Sequence, residues 1–435
     1  MRTLYILLFS LLSLLSGSAQ TDESLLEQAL FNLPDVTFKK TSKPGEPILQ
    51  YALTIRQPLD HQHPEKGSFG QQVLLTHKGF ESPTVMNING YALYKARNEL
   101  VRMLHANELN IEYRFYGQSA PDSLPWEYLT YEQVAADLHR INRLFKELYT
   151  GKWFSTGISR GGQTAIIYKY YYPEDVEVSV PYVAPIIDGL EDKRIYDFLD
   201  TIGTDECHNR IFDFQVYLLK HEKEVLDRLQ WYARGRRLEF GYLGSIGKAF
   251  EYTVLEYPFS FWQVGYKSCS DIPLGKSTDE YVSHLLDIID LESFADKELQ
   301  DNRVHFYQSV TEGGYYGYDA RPFRKYLHYI DTDNPSGSFP PKSLTYRSFD
   351  SSLMDRISSW LAEHGDNFIY IYGDRDTWSA CRVNVTEKVN SRLYMVPGAN
   401  HFAARVRNMP ADMQRDFADT FLKMSGIPVE LEVLK

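Results

Sequence analysis

The stretch Trp153-Phe154-Ser155-Thr156-Gly157-Ile158-Ser159-Arg160-Gly161-Gly162-Gln163 decides how the rest of this chain is read. It passes from an apolar, strand-like run through Gly157-x-Ser159-x-Gly161 into a helix-like segment, Gln163 to Tyr172. Pro173 stops that segment before another strand, Val176 to Val183. A serine on a turn between strand and helix sits in strained backbone, and small residues are needed two positions to either side. Larger side chains there would collide with the neighbouring strand and helix. The hydroxyl of Ser159 is thereby pushed into the open. The backbone N–H of Arg160 then points from a helix N-terminus at the place where a substrate carbonyl would gain negative charge.

On the N-terminal side, strand-like runs cover Leu49 to Ile55 and Gln71 to His77. Thr84 to Ile88 ends in Asn89-Gly90-Tyr91, and Leu109 to Tyr113 ends in Arg114-Phe115-Tyr116-Gly117. A helix starts at Thr130 with Gln133 three residues on, and its apolar stripe is Val134, Leu138, Ile141, Phe145 and Leu148. Strands that stop at glycine-bearing loops and alternate with helices predict an α/β fold of the α/β-hydrolase kind, a mostly parallel sheet flanked by helices. From about Asp188 to Lys325 the pattern turns helical, with Ile211 to Leu229 and Tyr281 to Phe294 between aromatic-rich loops. This predicts a helical cap at 188–325 inserted between two core parts, 20–187 and 326–435. The second core part holds strands at Asn367 to Tyr372 and Arg392 to Val396 and a closing helix from Met413 to Met424. Residues from 20 to about 45 read as a polar stretch.

The 435 residues carry 46 Lys+Arg against 58 Asp+Glu, a net charge of −12. Without a basic block there is no field to displace counterions from a polyanion, so nucleic acid is excluded as a partner. Residues 1–19 read as a signal peptide: Arg2, an apolar run from Leu4 to Leu15, then Gly17-Ser18-Ala19 as the cleavage site. The run is too short for a membrane anchor. The mature protein is expected to be secreted or periplasmic. Of the three cysteines, Cys207 and Cys269 share the middle segment and are the better pair for the single bridge that can form; three free thiols are the alternative. No Cys/His cluster has zinc spacing, and no metal or cofactor is expected.

A serine hydroxyl needs a base, and the base needs a carboxylate to hold its tautomer. On this fold the order is serine, acid, histidine, each on a loop after a strand. Tyr370-Ile371-Tyr372-Gly373-Asp374-Arg375-Asp376 supplies the acid, Asp376 being preferred to Asp374. Met395-Val396-Pro397-Gly398-Ala399-Asn400-His401 supplies the base, His401. Other histidines read as surface residues (His61, His63, His221, His364) or as members of helix-like segments (His105, His139, His284, His328). The second oxyanion donor is expected at the backbone N–H of Tyr91. The elbow alone does not distinguish a peptidase from an esterase or lipase. A catalytically dead binding protein would lack a triad member, and none is missing.

Taken together, several segments resemble the secreted prolyl tri/tetrapeptidyl aminopeptidases. The likeness is carried by Gly157-Ile158-Ser159-Arg160-Gly161-Gly162-Gln163-Thr164-Ala165, Tyr172-Pro173-Glu174-Asp175-Val176 and Tyr182-Val183-Ala184-Pro185. It extends to Gln57-Pro58-Leu59-Asp60-His61, Glu112-Tyr113-Arg114-Phe115-Tyr116-Gly117-Gln118-Ser119, and Glu256-Tyr257-Pro258 with Phe261-Trp262-Gln263. Two of these segments are also similar to the prolyl carboxypeptidase and dipeptidyl peptidase group. Two departures stand out, Thr377 where that family commonly has Pro after the acid, and Asn89 where an acidic residue often precedes the Gly. Neither removes a catalytic atom. The resemblance implies a serine exopeptidase acting on peptide substrates with a free N-terminus. Such an enzyme needs a cap carboxylate for the ammonium group, with Glu312 as a candidate, and an apolar slot for proline near Trp378, Tyr91 and Phe402.

Overall fold

Among the described residues of a computed structural model, nine strands run in the order β1-β2-β3-β5-β4-β6-β7-β8-β9. They are β1 Val36–Lys40, β2 Leu49–Pro58, β3 Ser68–His77, β4 Thr84–Ile88, β5 Asn107–Ile111, β6 Trp153–Ile158, β7 Val178–Tyr182, β8 Ile369–Gly373 and β9 Arg392–Val396. The structure describes residues 22–43, 46, 48–331, 338–344 and 347–435. The signal segment read at 1–19 lies outside them. The first three strands are antiparallel, β3 meets β5 antiparallel, and the pairs β5 with β4, β4 with β6, β7 with β8 and β8 with β9 are parallel. An antiparallel meander leading into a parallel sheet whose strands end at functional loops is the α/β-hydrolase arrangement.

The chain divides into two compact units, one reaching to Pro181 and taking in Asp416–Lys435, the other Tyr182–Arg415. In the first, helix α1 (Tyr131–Lys146) starts where expected: Thr130 Oγ1 accepts the Gln133 N–H at 3.2 Å. Its stripe of Leu138, Ile141 and Phe145 is buried in one core with Leu53, Val73, Met86 and Leu109 of the strands. Helix α2 (Arg160–Tyr171) follows β6 directly. The second unit carries helices α3 (Asp205–Lys220), α4 (Glu222–Arg236), α5 (Ile246–Val264), α6 (Thr278–Ile288) and α7 (Arg303–Gln308) ahead of β8 and β9. Its own core includes Phe214, Leu229, Phe250, Tyr257 and Leu285. Cys207 and Cys269 form a disulfide within it, and Cys381 is a buried free thiol.

Several expectations are corrected. The stretch read as polar holds a helix over 22–32 and β1. The helix buries only one side, through Leu26 and Leu30, and β1 alternates half-buried with exposed residues, so neither has a strong apolar signature. The helix expected over Ile211 to Leu229 is broken at His221, whose backbone leaves helical geometry (φ −101°, ψ 27°). The helix expected to reach Phe294 stops at Ile288, and Asp290 caps a separate short turn, Leu291–Phe294. His105 sits in a turn at φ 47°, and His328 lies in an irregular segment, so neither belongs to a helix.

Candidate active site

At the elbow, Ser159 has φ 58° and ψ −124°, a conformation that costs an L-residue about 1–3 kcal/mol and persists only where the surroundings impose it. The surroundings are backbone. A Cβ on Gly157 would lie 2.3 Å from the carbonyl carbon and oxygen of Gly161, and one on Gly161 would lie 2.3 Å from the Ile88 oxygen. Strand β6 and helix α2 therefore approach as closely as the main chain allows, and Ser159 at the apex stays partly exposed.

The loop after β4 touches the same turn. A Cβ on Gly90 would lie 2.6 Å from Cβ of Arg160. The Arg160 guanidinium donates through Nη1 to the Gly90 carbonyl at 2.7 Å and stands over the rings of Tyr113, Tyr91 and Tyr116 at 4.3, 5.3 and 5.6 Å. Asn89 fixes the loop from the other side: its Nδ2 donates to the Ile111 carbonyl at 2.9 Å and its Oδ1 accepts the Tyr94 N–H at 3.2 Å. The Tyr91 carbonyl is taken by the Tyr113 N–H at 3.1 Å. With Gly90 and Tyr91 carbonyls both engaged, the loop's main chain is held in one orientation, the precondition for a preorganised oxyanion donor.

In the second unit, His401 Nδ1 lies 2.7 Å from Asp376 Oδ2. The carboxylate is fully buried, and its Oδ1 accepts the Trp378 N–H at 3.2 Å. As Nδ1 must donate to the carboxylate, Nε2 is left with the lone pair that takes a proton. Asp374, the alternative acid, is exposed. Helix α5 holds both loops: the Phe259 carbonyl accepts from Thr377 Oγ1 at 2.9 Å, the Gln263 carbonyl from the His401 N–H at 3.1 Å, and the Val264 carbonyl from Asn400 Nδ2.

The remaining expected residues are placed as follows. Glu312 is buried, its carboxylate accepting from Arg347 Nη2 at 2.9 Å and Gln308 Nε2 at 3.3 Å. Trp378 packs edge-on against Phe259 and Tyr316, ring centroids at 5.2 and 5.3 Å. Phe402 is half exposed and stacks on Tyr266 at 6.3 Å, in a ring group separate from that of Trp378. Among the described residues no group of three or more His, Cys, Asp or Glu could hold a metal, and no helix is long and apolar enough to cross a membrane.

Sequence reasoning assigned no role to Glu256. It is buried on α5, Oε1 accepting from Ser260 Oγ at 2.6 Å and Oε2 from Tyr316 Oη at 2.8 Å, with Tyr318 as a further hydroxyl partner. Burial pushes its carboxyl up to about 7. Its sequence signal is the recurrence of polar residues Glu256, Ser260 and Gln263 at i, i+4 and i+7 in the otherwise apolar second half of α5.

Residues 24–430 match the profile of the family described as PS-10 peptidase S37. A prolyl tri/tetrapeptidyl aminopeptidase of Streptomyces mobaraensis is 29% identical over 420 residues, 95% of this chain and 87% of that protein. Among solved structures, a proline iminopeptidase of Mycobacterium smegmatis shares 13% identity at a TM-score of 0.38, over 86% of this chain and 98% of the other. The α/β hydrolase GrgF of Penicillium sp. sh18 shares 12% at 0.38, over 88% and 100%. Structural likenesses this distant bear no weight for the chemistry.

Proposed function

Because the chain belongs to the PS-10 peptidase S37 family and is accordingly a serine peptidase, we propose that it is an exported aminopeptidase working through Ser159, His401 and Asp376. In this reading the cap spans 188–325. Ser159 Oγ attacks the scissile carbonyl while its proton passes to His401 Nε2. Asp376 holds the imidazole through Nδ1 and balances its charge. The N–H groups of Arg160 and Tyr91 receive the oxyanion. Collapse breaks the C–N bond, the proton on Nε2 goes to the leaving amine, and water releases the acyl fragment by the same steps in reverse roles. The observation that carries this reading is the imposed backbone strain at Ser159, which has no structural purpose unless the hydroxyl must stand clear of its own turn.

The Streptomyces mobaraensis relative is named a prolyl tri/tetrapeptidyl aminopeptidase; the same substrate class is proposed here. Trp378, partly exposed and supported edge-on by Phe259 and Tyr316, offers a flat apolar ring for a pyrrolidine. Glu312 already has a guanidinium partner, which makes it a weaker candidate for the ammonium group.

A fluorophosphonate should label the wild-type protein and leave Ser159→Ala unlabelled. Mass spectrometry of fragments from paired free and N-acetylated peptides should show short fragments from the free set alone. Labelling that persists in Ser159→Ala, or equal cleavage of both sets, would overturn the proposal.

A further inference from the structure

Among its described residues the second unit buries five carboxylates: Asp192, Glu251, Glu256, Glu312 and Asp376. Four have partners that account for their burial. Asp192 is paired with Arg194, Glu312 with Arg347, and Asp376 with His401. Glu251 accepts three backbone N–H groups, from His328, Tyr329 and Ile330, and so ties down a chain segment. Glu256 alone has neither a cation nor a backbone donor among the described residues; its partners are the hydroxyls of Ser260, Tyr316 and Tyr318. Burying a carboxylate without a counter-charge costs several kcal/mol, a cost that a structural role would relieve with a cation or replace with an apolar residue.

The hydroxyls match an incoming ammonium group. Each oxygen that donates to Glu256 keeps lone pairs of its own, so Ser260, Tyr316 and Tyr318 can accept N–H bonds from a cation that the carboxylate balances. Phe259 stacks face to face on Tyr316 at 3.9 Å and Tyr315 lies 4.4 Å from it, so the Tyr316 ring is held between two others and its hydroxyl is fixed on Glu256. The position relative to the chemistry also fits. Glu256 and Gln263 lie two turns apart on one face of α5, about 10 Å along the axis, and the Gln263 carbonyl holds the His401 N–H at 3.1 Å. About 10 Å is the span of three extended residues.

We propose that Glu256 is the carboxylate that receives the α-ammonium group of the substrate, with Ser260, Tyr316 and Tyr318 accepting its remaining N–H bonds, and that its distance from the His401 loop sets a fragment of about three residues. This rests on the aminopeptidase reading above. The titratable groups facing Glu256 are Tyr316 and Tyr318, whose hydroxyls burial pushes well above their ordinary range, so both stay neutral near pH 7.

The test measures kcat/KM for a free-amine tripeptide anilide and its N-acetyl counterpart with wild type, Glu256→Gln, Glu256→Asp and Glu312→Gln, fluorophosphonate labelling reporting folded protein. In Glu256→Gln the preference for the free amine is expected to fall about 100-fold, while Glu312→Gln keeps it. Glu256→Asp, one methylene shorter, should raise KM for the free amine with less effect on kcat. A preference retained in Glu256→Gln, or lost in Glu312→Gln instead, overturns the assignment and leaves the aminopeptidase reading standing. Should Glu256→Gln fail to label, an unchanged KM in Glu256→Asp overturns it. A wild type indifferent to acetylation overturns both.

Discussion

The elbow at Ser159 and the helix α5 place functional groups by opposite means. At the elbow the main chain does the work: Gly157 and Gly161 leave no space for a Cβ, and the hydroxyl is presented by contacts among five consecutive positions and one neighbouring strand. On α5, two glutamates five residues apart are both buried, and distant segments decide what each becomes. Residues 328–330 make Glu251 a tie, while Tyr316 and Tyr318 make Glu256 a receptor for charge. Sterics in adjacent backbone dictate residue types. Tertiary partners dictate roles without dictating a local pattern.

The comparison can be broken first at its catalytic end. Ser159→Ala and His401→Ala should each lower kcat on a tripeptide anilide by about 10⁴- to 10⁶-fold, and the double variant should fall no further, because members of a triad act as a unit. Additive losses would show that the two residues do not share a step. The next largest effect is on folding. Gly157→Ala puts a methyl group 2.3 Å from main-chain atoms that cannot give way, and it should cost about 4 kcal/mol or more in denaturant unfolding. A shift below about 1 kcal/mol would mean that the elbow is looser than its geometry.

A smaller effect sharpens the other side. With its carboxyl held up at about 7, Glu256 is neutral below that pH and cannot balance an ammonium group. The substrate amine loses its proton near pH 8, so KM for a free-amine substrate should rise about fivefold from about pH 7.5 to pH 6, and Glu256→Gln should flatten this limb. Stability runs the other way. A raised carboxyl contributes fully below its ordinary 4.5 and loses that contribution as pH rises through about 7, so unliganded wild type should weaken relative to Glu256→Gln across that window. The smallest change reverses sign. Gly235 lies on the exposed face of α4 with nothing within 4 Å of an added Cβ, and Gly235→Ala should stabilise the protein by about 0.5–1 kcal/mol in thermal unfolding.

What the residues reveal before any coordinates follows the same division. Thr84–Ile88 and Arg392–Val396 are strands at the limits read from their apolar runs, and α1 begins at the Thr130 cap, because each signal is local. The turn at Ser159 and the loops that follow β8 and β9 are legible for that reason. The break at His221 and the helix at 22–32 are not, since one depends on a single residue's dihedrals and the other on which side meets the core. Glu312 drew attention by its glycine neighbours, yet Arg347, 35 residues on, supplies its charge partner. Glu256 stands in a motif that gives it no evident role, because two of the three hydroxyls around it, those of Tyr316 and Tyr318, come from a distant segment, Tyr316 lying 60 residues on.

Pro258 gives α5 a property that an ordinary helix lacks. With no N–H to offer, it leaves the Val254 carbonyl unbonded within the helix, and Gln215 of α3 supplies the missing donor at 2.8 Å. The gap spans Val254 to Pro258, the turn that carries Glu256, and lies one turn ahead of the carbonyls of Gln263 and Val264 that hold the His401 loop. Continuity of this rod, from its glutamate-bearing turn to the end that holds the histidine loop, is therefore borrowed from an amide on a different helix.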